Sequence, residues 1–153
     1  MILLHRYARL VLALSAVCIT VSCNVERKLT VIQSKAVPAA IGPYSQAIKN
    51  DNLIFCSGQI GLSPATGDLA GDDISSQTTQ ALQNIKYILE EAGSDFSHVT
   101  KVTVFVTDMD NYKLVNEIYA VFFDKLKPAR SVVQVAGLPR GALVEIECIA
   151  VTK

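Results

Sequence analysis

Histidine is scarce in this chain of 153 residues: there are 2, and one of them, His5, lies in the first ten positions. A Ser-His-Asp triad or a histidine-rich metal site therefore has almost no material beyond His98. His98 sits in the polar stretch from Ser94 to Thr100 and reads as a surface residue. There is no Cys-x-x-Cys, His-Glu-x-x-His, Gly-x-Gly-x-x-Gly or P-loop pattern, which removes the commonest metal, dinucleotide and nucleoside-triphosphate readings. No cofactor or metal is expected. Surplus charge is also absent, with 14 basic and 14 acidic residues. Binding nucleic acid by bulk phosphate neutralisation needs an excess of Lys and Arg, so no nucleic-acid partner is expected. With 5 prolines, 8 glycines and no long polar tract, little disorder is expected away from the ends.

What is present is material for one core. Half the residues are apolar and 18% are charged, the balance of a single globular domain. The first two dozen residues differ from the rest. His5, Arg6 and Arg9 precede an almost unbroken apolar run from Leu10 to Val21. That run is short of the roughly 20 residues a spanning helix needs, and suits the apolar region of a signal peptide. Ser22-Cys23 then resembles a bacterial lipobox, although Thr20 stands where Leu is usual. The expectation is a signal peptide over 1–22, lipidation of Cys23, a tether over 23–28, a domain over 29–153, and a periplasmic or membrane-anchored lipoprotein. Plain secretion, an uncleaved anchor, or a mis-assigned start codon with a cytoplasmic protein are the alternatives. Cys56 and Cys148 lie in apolar strand-like runs and read as small buried hydrophobes, with a disulfide between them left open.

Along the domain, a short strand is expected at 29–33, then an irregular segment broken by Pro38, Gly42 and Pro43. Strands at 44–48 and 53–60 flank the turn Asn50-Asp51-Asn52. A helix capped by Asp72 or Asp73 runs to about Ala92, its buried stripe Ile74, Ala81, Ile85, Ile88 and Ala92, with Gly93 as its stop. Residues 100–107 form a strand with Val102, Val104 and Val106 on one face. A second helix, capped by Asp110 or Asn111, runs to about Leu126 before Pro128. Strands at 131–136 and 143–151 close the chain. Strands at both ends with two helices between them predict an α+β fold, a mixed sheet carrying both helices on one face. Tyr44, Phe55 and Phe105 would leave the other face apolar and point weakly to oligomerisation.

Three polar features interrupt the apolar runs. Arg130 opens a strand; such an arginine is more often a solvated charge, yet its planar fork matches a carboxylate in two parallel hydrogen bonds. Glu145 and Glu147 alternate with Val144, Ile146 and Cys148, so period two puts both carboxylates on the opposite face. A solvent face is the plain reading; a carboxylate that orients a water and takes its proton is the sharper one. Ser57-Gly58 breaks the strand 53–60, and glycine there marks a bulge or a close backbone approach.

The segments AAIGPYSQA (39–47), FCSGQIGL (55–62), KVTVFVTDM (101–109), VNEIYAVFF (115–123) and PARSVVQVAGLPRGALVEIECIAV (128–151) resemble the reactive intermediate deaminase family (Rid, or YjgF-like), RidA type, in order and spacing. The resemblance covers roughly 30–153. It implies a chorismate-mutase-like α+β fold and a homotrimeric barrel with sites in clefts between subunits. It also implies hydrolytic deamination of enamines and imines of 2-oxo acids, of the 2-aminoacrylate and 2-iminobutyrate type, to 2-oxo acids and ammonia. Carried over by position, Arg130 would clamp the substrate carboxylate and Glu145 would hold the attacking water. Tyr44, Ser57, Gly58 and Asn116 would line the cleft, and the main chain at Val132, where many members carry Cys, would face the substrate nitrogen. The rival readings are an endoribonuclease or translation inhibitor, and a non-catalytic ligand-binding or holdase-like protein.

Overall fold

The computed structural model describes residues 29–153. The expected signal segment 1–22, the lipidation site Cys23 and the tether 23–28 lie outside the described residues.

The strands β1 (Leu29–Ile32), β2 (Ala47–Asn50) and β3 (Leu53–Ile60) come first, followed by α1 (Ile74–Glu91) and β4 (Val99–Val106). Then come α2 (Tyr112–Phe122), β5 (Ala129–Gln134) and β6 (Val144–Val151). The sheet order is β1-β2-β3-β6-β4-β5. Only β4 and β5 pair in parallel; the other neighbours are antiparallel, so the sheet is mixed. Strand alternation does what period two predicts. Val102, Val104, Val106, Val144 and Ile146 are fully buried on one face, and both helices pack there, contributing Leu82, Ile85, Ile88, Leu89, Val115 and Tyr119 to the same core.

The helix boundaries have local causes. Asp73 caps α1: its Oδ1 accepts from the Ser76 N–H at 2.9 Å and its Oδ2 from the Ser76 hydroxyl at 2.6 Å. These bonds hold its carboxyl below the usual range. Gly93, at φ +78°, ends the helix in the left-handed region. The second helix has Asn111 at its N-cap position, without a side-chain hydrogen bond, and is preceded by a 3-10 turn over Met109–Asn111 whose own cap, Asp108, accepts from the Asp110 N–H. It stops at Phe122, short of the expected Leu126. The chain leaves the helix at Phe123, which keeps that ring buried against Tyr119 and Phe96 while Leu126 is exposed. The second strand begins at Ala47 rather than Tyr44, because the buried Gln46 side chain holds the preceding segment as a loop. Its Oε1 accepts from Ser34 N–H at 2.7 Å, and its Nε2 donates to the Ser34 and Pro38 carbonyls.

The homotrimeric barrel expected from the resemblance needs correcting. The sheet is open, with β1 and β5 as its two edges and no pairing between them among the described residues. A barrel closes by curling a sheet until its edge strands pair around a core of inward side chains. Here one face of the sheet is covered by the helices, with α1 packed against β3 and β6, and the sheet stays open. The opposite face carries exposed Leu29, Val31, Leu53, Phe55 and Val133. Among the described residues no helix is long and apolar enough to cross a membrane.

Candidate active site

Glu145 lies on β6 opposite Ile60 of β3 and Phe105 of β4, on the face away from the helices. The β3–β6 register slips between Cys56 and Gln59. This bulge turns Gly58 under the carboxylate: a Cβ at Gly58 would stand 2.7 Å from Glu145 Cδ and 2.9 Å from its Cγ. Glycine is required there because backbone and carboxylate share that space. A cavity of about 230 Å3 opens here, joining Tyr44, Ser57, Gly58 and Glu145 with Ile41, Ile60 and Pro139. Burial, and secondarily the neighbouring Glu147, push the Glu145 carboxyl up from its ordinary value. A carboxyl shifted this way can both take and return a proton nearer neutral pH.

Ser57, which lines this cavity, also braces it. Its hydroxyl donates to the Ser45 carbonyl at 2.7 Å and its N–H to the Gln46 carbonyl at 3.0 Å. Both bonds tie the bulge to the loop that carries Tyr44. Its hydroxyl proton is engaged, so toward the cavity it offers only lone pairs. Pro139 belongs to a turn anchored from α1, since the Leu143 N–H donates to Gln77 Oε1 at 2.8 Å.

Arg130 stands elsewhere. It pairs in register with Val102 on the helix-covered face, so it and Glu145 look out from opposite sides of one sheet. It lines a second cavity of about 360 Å3 with Asn116, Tyr119, Ala120, Phe123 and Lys127. Its Nη2 donates to Asn116 Oδ1 at 2.7 Å, and its guanidinium lies 4.4 Å from the centre of the Tyr119 ring. Among the described residues no carboxylate pairs with it. Val132 packs its side chain against the helix-side core and lines neither cavity.

One chain thus gathers Tyr44, Ser57, Gly58 and Glu145 in one place and Arg130 and Asn116 in another. Sequence reasoning missed Tyr119, Ile41, Ile60 and Pro139. Tyr119 had a usable signal, standing three residues from Asn116 and so on the same helix face. Ile41, Ile60 and Pro139 had none, because they meet only through the fold. Cys56 and Cys148 are directly opposed on β3 and β6, both free and buried. The hydrogen bond of the Cys148 thiol to Cys56, then burial, push that thiol's pKa well up. His98 is exposed in part and held by Asp95 at 2.8 Å, away from both cavities.

An arginine with no acidic partner among the described residues lines one cavity, and a carboxyl whose pKa is raised by burial lines the other, on the two faces of an open α+β sheet. A family model described as Endoribonuclease L-PSP matches residues 34–152. The chain is 50% identical over 123 residues to Reactive Intermediate Deaminase A, chloroplastic, of Arabidopsis thaliana, covering 80% of this chain and 66% of that one. It is 50% identical over 121 residues to the 2-iminobutanoate/2-iminopropanoate deaminase of Mus musculus, covering 79% and 90%. The solved structure of TdcF from E. coli with bound serine superposes with a TM-score of 0.78 at 40% identity, covering 81% and 99%. The chain belongs to the reactive intermediate deaminase (Rid, YjgF-like) family.

Proposed function

We infer that this protein is an enamine/imine deaminase, an enzyme that hydrolyses reactive 2-imino acids and their enamine tautomers to 2-oxo acids and ammonia. The names of its relatives in mouse and Arabidopsis support the activity. The observation that carries it to residues is Arg130, a guanidinium that lines a cavity with no acidic partner among the described residues. Its unused N–H groups suit a carboxylate, in two parallel bonds. The enamine first takes a proton on carbon and becomes the imine. Water then adds to the imine carbon, its proton passing to Glu145, whose raised pKa suits both acceptance and return. The carbinolamine expels ammonia, leaving the carbonyl.

Arg130 and Glu145 face opposite sides of the sheet within one chain, so this reading joins the Arg130 cavity of one copy to the Glu145 cavity of another. Tyr44, exposed at the Glu145 cavity, and Phe55 and Val133, exposed on the sheet face that carries Glu145, support such contact. The purified protein, given 2-iminobutanoate generated in situ, is expected to release ammonia, and Arg130→Ala and Glu145→Gln each to lose that activity. Reassembling the two inactive variants together restores part of the rate if the site spans two copies. Full activity in Arg130→Ala, or a fully active monomer by light scattering, overturns the assignment. Binding of a 2-oxo acid without any turnover would favour the holdase-like alternative. RNA cleavage has little support, since His98 is paired with Asp95 and lines neither cavity.

For location, the apolar run before Cys23 supports export and lipidation of that cysteine. Mass spectrometry of the mature N-terminus is expected to find acylated Cys23; an intact Met1 overturns it.

A further inference from the structure

Arg130 is held in place without an acid, and what holds it comes from one helix face. Tyr112, Asn116 and Tyr119 stand at i, i+4 and i+7 on α2, one above the other. Asn116 accepts from one Nη2 hydrogen at 2.7 Å. The Tyr119 ring centre lies 4.4 Å from the guanidinium carbon and that of Tyr112 at 6.0 Å. Tyr119 is itself braced. Phe123 stacks on it at 4.2 Å with planes 23° apart, and Phe96 meets Phe123 edge-on at 4.7 Å. Guanidinium, Tyr119, Phe123 and Phe96 form a column from the cavity into the core.

The choice of holders matters chemically. A carboxylate beside Arg130 would fix it equally well, but would cancel its charge and occupy two of its five N–H groups. An aromatic face attracts the planar cation through its quadrupole and leaves charge and N–H donors available. The Tyr119 hydroxyl takes no part in this: it is buried without a hydrogen-bond partner. Burial also pushes its pKa up to about 12, so it stays a neutral phenol.

We propose that Tyr119, backed by Phe123, is a positioning residue whose ring sets the plane of the Arg130 guanidinium, keeping the cation charged and open to a substrate carboxylate. This rests on the reading of Arg130 as the carboxylate clamp. The test measures the affinity of 2-oxobutanoate, an unreactive 2-oxo acid, by calorimetry, beside KM and kcat for 2-iminobutanoate. Tyr119→Met fills the space without a π face. It is expected to raise both Kd and KM about 3- to 30-fold, the range of a desolvated cation–π contact, with kcat changed far less. Tyr119→Phe keeps the ring and is expected to rescue both constants. A merely structural role would lower kcat and folded fraction together and would not be rescued through KM alone. Wild-type constants in Tyr119→Met, or a loss in Tyr119→Phe as large as in Tyr119→Met, overturn the proposal. Should Tyr119→Met fail to fold, the wild-type NMR spectrum decides. Arg130 side-chain protons shielded by the ring support it, and random-coil shifts sink it. If Arg130→Ala binds 2-oxobutanoate as well as wild type, the clamp reading itself fails. If Arg130→Ala loses binding while Tyr119→Met keeps it, only the role of Tyr119 fails.

Discussion

The two cavities are built from different materials. The Glu145 cavity is shaped by backbone: a bulge in β3, a loop tied to it through Ser57, and a glycine occupying space no side chain could share. The Arg130 cavity is shaped by side chains on α2, through one hydrogen bond and stacked rings. Backbone construction fixes a carboxyl tightly and tolerates no added atom. Side-chain construction presents a cation through separate contacts, each of which a single substitution on α2 can alter.

The contrast breaks most readily at Gly58. Gly58→Ala puts a Cβ against the Glu145 carboxylate and is expected to lower kcat/KM about 100-fold, as a displacement of about 1 Å can do, with folding retained. Wild-type kinetics in this variant would remove the close approach from the mechanism. Gly61→Ala makes a control for the same kind of crowding away from the carboxylate. Its Cβ would meet Gln77 Cα and O at 2.6 Å, so a stability loss of about 1–3 kcal/mol is expected, read from denaturant midpoints.

Gln46→Ala tests the loop that carries Tyr44. It strands a buried Ser34 N–H and two carbonyl groups, for an expected loss of about 1–3 kcal/mol. A raised KM should accompany it. Loss of stability with KM untouched would detach the loop from the site.

Glu145→Gln sharpens the electrostatic side. The folded state holds the Glu145 proton to higher pH than the unfolded chain does, because burial and Glu147 raise its pKa. Ionisation therefore weakens the fold as pH rises through that window. The amide is expected to raise Tm at pH 7, with the gain fading as pH falls below the unfolded value of about 4.3. A gain that grows toward acid pH would contradict this assignment.

The smallest effect is expected at the cysteines. Cys56 and Cys148 are buried, and the Cys148 thiol is pushed up, so a thiol reagent at neutral pH should modify neither until the protein unfolds. Rapid native labelling would show that the β3–β6 seam opens, and with it the bulge under Glu145.

Much of this was legible in residue spacing. Alternation at 100–107 and 143–151 put the valines inside and Glu145 outside. The stripe through Ile74, Ala81, Ile85 and Ile88 made a helix whose end Gly93 marked, and the break at Ser57-Gly58 announced a bulge. The ends of α2 and β2 were misread because distant contacts set them: Phe123 is drawn into an aromatic cluster with Phe96, and Gln46 is bonded to Ser34 and Pro38. Propensity carries no information about such partners.

The sequence by itself determined which residues face in and which face out along each element, since side-chain direction repeats with a period intrinsic to helix or strand. Only the tertiary structure decided that Arg130 and Glu145 look out from opposite faces of one sheet. That outcome depends on β6 and β5 flanking β4 and on the register of each pairing, and a strand's own periodicity says nothing about which neighbour it pairs with or in what register.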